Sequence, residues 1–322
     1  MRTTRVDVTV RPVVRHPGGM PSVLRPVGPL LLPLCLVGVL GACSGADSPG
    51  APGAAAQSDT ALASSSASTG SSTGSEAGAA AGDRVQVGPS DPQPVRGAVE
   101  VLRTRPHDPA LFTQGLQVVG GEIYESTGRY GSSVVQRRAL DGDGPTVTVS
   151  MADDEFGEGL AVTPDTLWTL TWQNQVAHNR DPQTLEVRSE VPYEGEGWGL
   201  CHDGARLLMS DGSDRLTVRD PVTFEPTDTL RVTAGGTPVG RINELDCADG
   251  SILANVWMTD EIIRIDPATG VVTAIYDASA LEQPRPADRD AVLNGIAALP
   301  DPERVLLTGK LWTSVYEVRL VG

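Results

Sequence analysis

Asn243-Glu-Leu-Asp-Cys-Ala-Asp-Gly-Ser-Ile-Leu-Ala-Asn-Val-Trp257, followed by Glu261-Ile-Ile-Arg-Ile-Asp266 and Val271-Val-Thr-Ala-Ile-Tyr276, reads as four consecutive strands. The pieces are rich in β-branched residues. Asp249-Gly250 and Pro267-Ala-Thr-Gly270 mark the turns between them. The opening tripeptide recurs as Gln114-Gly115-Leu116, Glu158-Gly159-Leu160, Trp198-Gly199-Leu200 and Asn294-Gly295-Ile296, with steps of 44, 40, 45 and 51 residues along the series. A period of about 40–50 residues with four short strands per copy predicts an all-β, five-bladed β-propeller.

The third copy repeats the pattern, with a turn at Asp203-Gly204, strands at Leu207 and Arg215, and a turn at Asp220-Pro221. The last copy supplies only three strands, starting at Gly295, Arg304 and Ser314. The unmatched strand Ala98–Arg105 precedes the first copy. It is expected to complete the last blade and so remove the open edge of a linear array. The propeller domain is therefore placed at residues 98–322.

Equivalent positions in a propeller surround its axis. Here they are Gln114, Glu158, Trp198, Asn243 and Asn294. A packed core calls for apolar residues, so this polar ring points to a site. Fourteen residues further on lie Gly128, Trp172, Gly212 and Trp257; in the fifth copy, a longer turn moves the equivalent to Lys310. These positions end the second strands at one mouth of the channel. Tryptophan walls with a few polar groups suit a small planar or amide-bearing ligand. Glu158 follows Phe156, and a carboxyl against aromatic rings loses hydration. Its pKa is expected to rise toward neutrality, as acid–base work requires.

The N-terminus has a different character. Residues 1–25 hold five arginines and one acid, and an apolar run from Val27 to Leu40 follows. The run is shorter than the ~20 residues that span a bilayer. It fits the apolar region of a secretory signal. Leu40-Gly41-Ala42-Cys43 resembles a bacterial lipobox. That resemblance implies a lipoprotein signal peptide at 1–42, lipidation of Cys43 and a place on the outer face of the cell membrane. Residues 43–97 are mostly Ala, Gly, Ser, Thr and Pro and are expected to form a disordered tether.

The chain's net charge of −16 would become −20 without residues 1–42. Such acidity argues against nucleic-acid partners and leaves a lipid anchor as the membrane link. Cys201 and Cys247 sit just beyond ring positions in adjacent copies. An oxidising compartment permits a bridge between them, and two separate buried thiols are the alternative. No Cys/His cluster has metal-ligand spacing, so no metal or cofactor is assigned. His107, in Pro106-His107-Asp108, reads as structural.

Several stretches carry a family resemblance: Phe112-Thr-Gln-Gly-Leu116, Tyr124-Glu-Ser-Thr-Gly-Arg-Tyr-Gly131, Phe156-Gly-Glu-Gly-Leu160, Leu170-Thr-Trp172, Gly195-Glu-Gly-Trp-Gly-Leu200, Ala254-Asn-Val-Trp257 and Thr308-Gly-Lys310. They resemble the glutamine cyclotransferases of the plant and bacterial type. The resemblance runs from about Arg105 to Leu320. It implies metal-free conversion of an N-terminal glutamine of peptides and proteins into pyroglutamate, with release of ammonia. It also implies an acid/base role for Glu158 and a place in the pocket for Lys310, whose ammonium is expected to steady a developing oxyanion. Phe112, Gln114, Phe156, Trp172, Trp198, Asn243 and Trp257 are implied as the substrate pocket, to which ring position Asn294 is added.

Two other readings stay open. A carboxylate and two Asn at a propeller axis also resemble the calcium centre of lactonase-type hydrolases. A lipid-tethered propeller that binds peptide N-termini without catalysis is the third. A closed propeller needs no partner, so a monomer is expected.

Overall fold

The computed structural model describes residues 91–281, 288–301 and 303–322. The expected signal peptide, Cys43 and nearly all of the tether lie outside the described residues. Every regular element among those described is a β-strand.

Strand β1 (Val95–Pro106) is followed by three antiparallel sheets, each paired in chain order. The first contains β2 (Thr113–Val119), β3 (Glu122–Thr127), β4 (Val134–Ala139) and β5 (Val147–Ser150). The second contains β6 (Gly157–Val162), β7 (Leu167–Thr171), β8 (Val176–Arg180) and β9 (Val187–Pro192). The third contains β10 (Leu200–His202), β11 (Leu207–Ser210), β12 (Arg215–Arg219) and β13 (Pro226–Arg231). A small hairpin, β14 (Thr233–Ala234) and β15 (Thr237–Pro238), leads to β16 (Ile242–Ala248), β17 (Ser251–Val256), β18 (Glu261–Ile265) and β19 (Val272–Asp277). The chain finishes with β20 (Leu293–Ala298), β21 (Arg304–Gly309) and β22 (Ser314–Val321).

The unmatched first strand pairs where the sequence suggested. β1 runs antiparallel along β22, from Ala98 opposite Val321 to Pro106 opposite Ser314, with a bulge between Val101 and Arg103. It also starts earlier than Ala98. Val95 to Ala98 lie parallel to Ala274 to Asp277 of β19, which joins the last two groups into one eight-stranded sheet. The order is β16-β17-β18-β19-β1-β22-β21-β20.

The first strands of the groups touch in a cycle. β2 contacts β6, β6 contacts β10, β10 contacts β16, β16 contacts β20, and β20 returns to β2. The apolar clusters follow the same cycle. Tyr124 and Val135 pack with Leu160 and Leu167. Trp168 and Leu170 pack with Leu207, Met209 and Phe224. Leu208 and Leu216 meet Leu245 and Ile252. Leu253 and Ile262 meet Ile296 and Val305. The cycle closes where Leu116 and Ile123 pack on Ala297, Leu306 and Val315. Inner strands β6, β7 and β11 are buried at every residue, whereas outer strands β9 and β13 are largely exposed. An inner strand covered on both faces does not alternate, which explains its near-continuous apolar and small residues.

One polar knot fixes the entry of the chain. His107 directs Nδ1 to the Trp312 carbonyl at 2.9 Å and Nε2 to Glu125 at 2.8 Å. Both partners are acceptors, so both ring nitrogens donate and the ring is an imidazolium. Glu125 also accepts from Thr113, Gln136 and Arg138. Burial opposes both charges. The pair nevertheless holds the histidine above its ordinary value and Glu125 at about 2. Because its folded pKa is depressed, Glu125 adds stability that is complete above the ordinary carboxylate range and is lost as pH falls toward 2. Glu125→Ala, which leaves His107 unpaired, should cost on the order of 3 kcal/mol in denaturant melts at pH 7. The difference from wild type should shrink as the melts are repeated at lower pH.

Candidate active site

The mouth end of the inner strands encloses a cavity of about 680 Å³. Of the expected residues, Phe112, Gln114, Phe156, Glu158, Trp172, Trp198, Asn243, Trp257 and Lys310 line it. The second-strand register is physically simple. Trp172, Trp257 and Lys310 each follow the end of β7, β17 and β21. The equivalent Gly128 and Gly212 make room for rings: a Cβ there would lie 2.1 Å from the Phe156 ring and 2.6 Å from Trp198.

Asn294 does not join the lining. It is fully buried, and its Nδ2 donates to the Thr113 carbonyl at 3.0 Å and to Gln114 Oε1 at 3.3 Å. It therefore stands behind Gln114. Gln114 in turn donates through Nε2 to Glu158 Oε1 at 3.1 Å. The ring register places a residue at the axis; it does not decide whether the side chain reaches the cavity or a neighbour.

Glu158 is buried, and loss of hydration drives its pKa well above the ordinary carboxylate value. The Lys310 charge pulls it back, and the Glu196 charge adds to the rise. Lys310 is itself buried and pushed below the usual lysine value, with Glu158 and Asp290 opposing that shift. Its ammonium lies 4.9 Å from the centre of the Phe112 ring. Among the described residues no carboxylate comes within 4.0 Å of it, so it is free of a direct ion pair.

The aromatic lining falls into two contact groups. Phe156 touches Phe112, Tyr130 and Trp172 at centroid distances of 6.0, 5.4 and 5.6 Å. Trp198 meets Trp257 edge-on at 5.6 Å. Asn243 Oδ1 is buried without a hydrogen-bond partner among the described residues. The cavity thus offers apolar walls, a neutralisable carboxyl and a desolvated ammonium.

Residues 71–320 match the family model described as glutamine cyclotransferase. The chain is similar to a glutaminyl-peptide cyclotransferase of Arabidopsis thaliana, 36% identical over 227 residues, or 69% of this chain and 71% of that protein. The chain belongs to the glutamine cyclotransferase family. It also resembles the crystal structure of Myxococcus xanthus glutaminyl cyclase, with 38% identity and a TM-score of 0.65 over 71% of this chain and 99% of that one.

Three lining residues of this cyclotransferase-family pocket escaped the ring argument: Arg129, Tyr130 and Asp290. Arg129 and Tyr130 follow Gly128 directly and were visible only as part of a motif. Arg129 has φ 110°, a strained value for a residue with a side chain. It lies 4.7 Å over the Phe112 ring and pairs with Asp288. Asp290 sits outside the strands, where the repeat carries no register.

Cys201 and Cys247 are joined as a disulfide, with Cα atoms 5.4 Å apart. It links β10, just after ring residue Trp198, to β16, which carries Asn243. The electrostatics around Glu158 can be checked directly. Lys310→Met removes the charge that favours the carboxylate, so the Glu158 pKa should rise further. Infrared titration of the carboxyl stretch in protein labelled at glutamate would read this as a protonated band persisting to higher pH.

Proposed function

We propose that the chain is a glutaminyl-peptide cyclotransferase, an acyltransferase that converts N-terminal glutamine of peptides and proteins into pyroglutamate and releases ammonia. The observation that carries this reading is Glu158, buried in a Trp- and Phe-walled cavity and bound to Gln114, in a chain of this family. The five groups of strands are read as blades of a propeller. The cyclic order of inner-strand contacts and apolar clusters supports that reading.

The reaction joins two groups of one residue. The α-amine and the γ-carboxamide carbon must be brought together as a five-membered ring, which is a problem of orientation. Trp172, Trp198 and Trp257 hold the glutamine stem and exclude water, with Phe112 and Phe156 beside them. Asn243 Oδ1 and the Gln114 amide receive the substrate's polar ends; Asn243 Oδ1 gains a partner that it lacks among the described residues. The amine nitrogen attacks the carboxamide carbon, and the carbonyl electrons move onto oxygen. Lys310 stabilises that oxyanion. Glu158 takes a proton from the attacking nitrogen and delivers it to the amide nitrogen. The carbon–nitrogen bond then breaks, ammonia leaves, and the lactam carbonyl re-forms. Protonation makes the leaving group ammonia rather than an amide anion, and a carboxyl with a raised pKa is suited to both transfers.

Glu158→Gln should fold and lower ammonia release from a Gln-initiated peptide by about 10²–10⁴-fold. Turnover like that of wild type would sink the assignment. The base must be ionised to act. The raised Glu158 pKa therefore places the acid limb of kcat/KM well above the ordinary carboxylate range. Ammonia release should survive chelators, which a calcium-dependent hydrolase would not allow.

The N-terminal segment extends the proposal to location. Cleavage before Cys43 and lipidation of its thiol would hold a monomeric catalytic domain on the outer face of the membrane, with the Ala/Gly/Ser-rich tether giving it reach. In a bacterial host, Cys43→Ser should abolish labelling by a fatty-acid analogue and release activity from the membrane fraction.

A further inference from the structure

We infer that Glu196 is a positioning residue for the tryptophan wall of this pocket: one of its carboxylate oxygens holds the indoles of Trp172 and Trp198 in the orientation that shapes the glutamine subsite. This deepens the proposed function and rests on its assignment of the pocket.

Glu196 lies between β9 and β10, outside the inner strands that define the ring. Its Oε2 accepts from Trp172 Nε1 at 2.8 Å and from Trp198 Nε1 at 3.0 Å. Its Oε1 accepts from Gln173 Nε2 at 3.4 Å. Trp172 belongs to the aromatic group around Phe156, and Trp198 to the pair with Trp257. Those groups come from different sheets, and Glu196 joins them. An indole nitrogen can only donate, so a half-buried indole needs an acceptor to fix its orientation. An ionised acceptor does this more strongly than a neutral one. Burial works against ionisation of Glu196, but the donors from Trp172, Trp198 and Gln173 prevail and its pKa is lowered.

The loop is built to place this side chain. Gly195 adopts φ +85°. Gly197 has no room for a Cβ, which would stand 2.4 Å from the Tyr193 hydroxyl. Tyr193 is pinned by its hydroxyl to the Thr171 carbonyl, beside Trp172.

A second consequence is electrostatic. The charged and titratable groups acting on Glu158 are Lys310, Glu196 and, as its neighbour, Tyr193, with Asp290 behind Lys310. Glu196 and Lys310 act in opposite directions. A neutral residue at 196 therefore lowers the Glu158 pKa, and the acid limb of kcat/KM moves to lower pH.

The test uses the full chain, a Gln-initiated peptide, and the variants Glu196→Ala and Glu196→Gln. Glu196→Ala should raise KM about tenfold or more, the expected loss of charge-assisted hydrogen bonds at the wall. Without substrate, it should also increase acrylamide quenching of tryptophan fluorescence. Glu196→Gln keeps a neutral acceptor, so it should recover most of KM while its acid limb stays shifted downward. A structural prop alone would lower the melting temperature and leave KM, quenching and the pH profile unchanged; that result overturns the inference. If Glu196→Ala does not fold, Glu196→Gln decides, because an unmoved acid limb with wild-type KM overturns it equally. Glu158→Gln run in parallel separates the two proposals. If Glu158→Gln is active, the mechanism fails while the quenching result still judges Glu196.

Discussion

The close approach of the inner strands around the axis is the constraint on which the rest of the molecule depends. At Gly199 a Cβ would fall 2.2 Å from the Asn243 carbonyl, and at Gly159 it would fall 2.6 Å from the Leu200 nitrogen. Only glycine lets neighbouring strands come so near. Side-chain bridges then tie one strand to the next. Ser210 Oγ donates to the Asn243 carbonyl at 2.6 Å, and Asn255 Oδ1 accepts from Gly295 at 3.1 Å. The fourth copy breaks the glycine rule with Glu244. Its carboxylate accepts from the Leu116 nitrogen at 3.1 Å and the Ile296 nitrogen at 2.8 Å, linking β16 to both β2 and β20. Burial and the neighbouring Asp246 raise its pKa. One long acceptor at the axis thus does what a fifth glycine could not.

That geometry also makes the chemistry of the mouth. Strands packed so closely leave little water at their inner ends, so polar side chains there lose hydration. Glu158 and Lys310 are consequently each shifted toward the neutral form. Their separation matters as much as their burial. A direct ion pair would hold Glu158 as a carboxylate and commit Lys310. Instead the ammonium rests over the Phe112 ring, which stabilises it, and no carboxylate among the described residues lies within 4.0 Å of it.

Much of this was legible in the chain, for identifiable reasons. Turn residues such as Asp249-Gly250 and Pro267–Gly270 are local, and they bounded β16 to β19 correctly. The ring follows from period, and the second register from period with one longer turn before Lys310; most of their members line the cavity. Asn294 stands behind the lining because period gives position along a strand, while the reach of a side chain depends on its neighbours; Thr113 and Gln114 capture its amide nitrogen. The parallel pairing of Val95–Ala98 with β19 was illegible, because it joins segments distant in sequence with no shared turn. Glu196 lies within the Gly195–Leu200 motif, yet its contacts require Trp172 and Trp198 to converge from separate sheets.

The unpartnered Asn243 Oδ1 then follows from the division of labour around the ring. Glu158 is engaged by Gln114, Gln114 is backed by Asn294, and the walls are tied by Glu196. Asn294 Oδ1, behind the ring, is the other ring-residue oxygen without a partner among the described residues. Leaving a buried carbonyl oxygen unsatisfied costs free energy in the empty enzyme, on the order of 1–3 kcal/mol. A substrate N–H that meets this oxygen removes the cost, whereas a side chain with only methyl groups would seal it in. A γ-carboxamide brings such N–H donors; an aliphatic stem of the same length brings none. On the proposed function, the apolar walls that accept the glutamine methylenes accept that stem equally well. On the proposed function, discrimination between them rests on the polar lining, where Asn243 Oδ1 has no hydrogen-bond partner among the described residues.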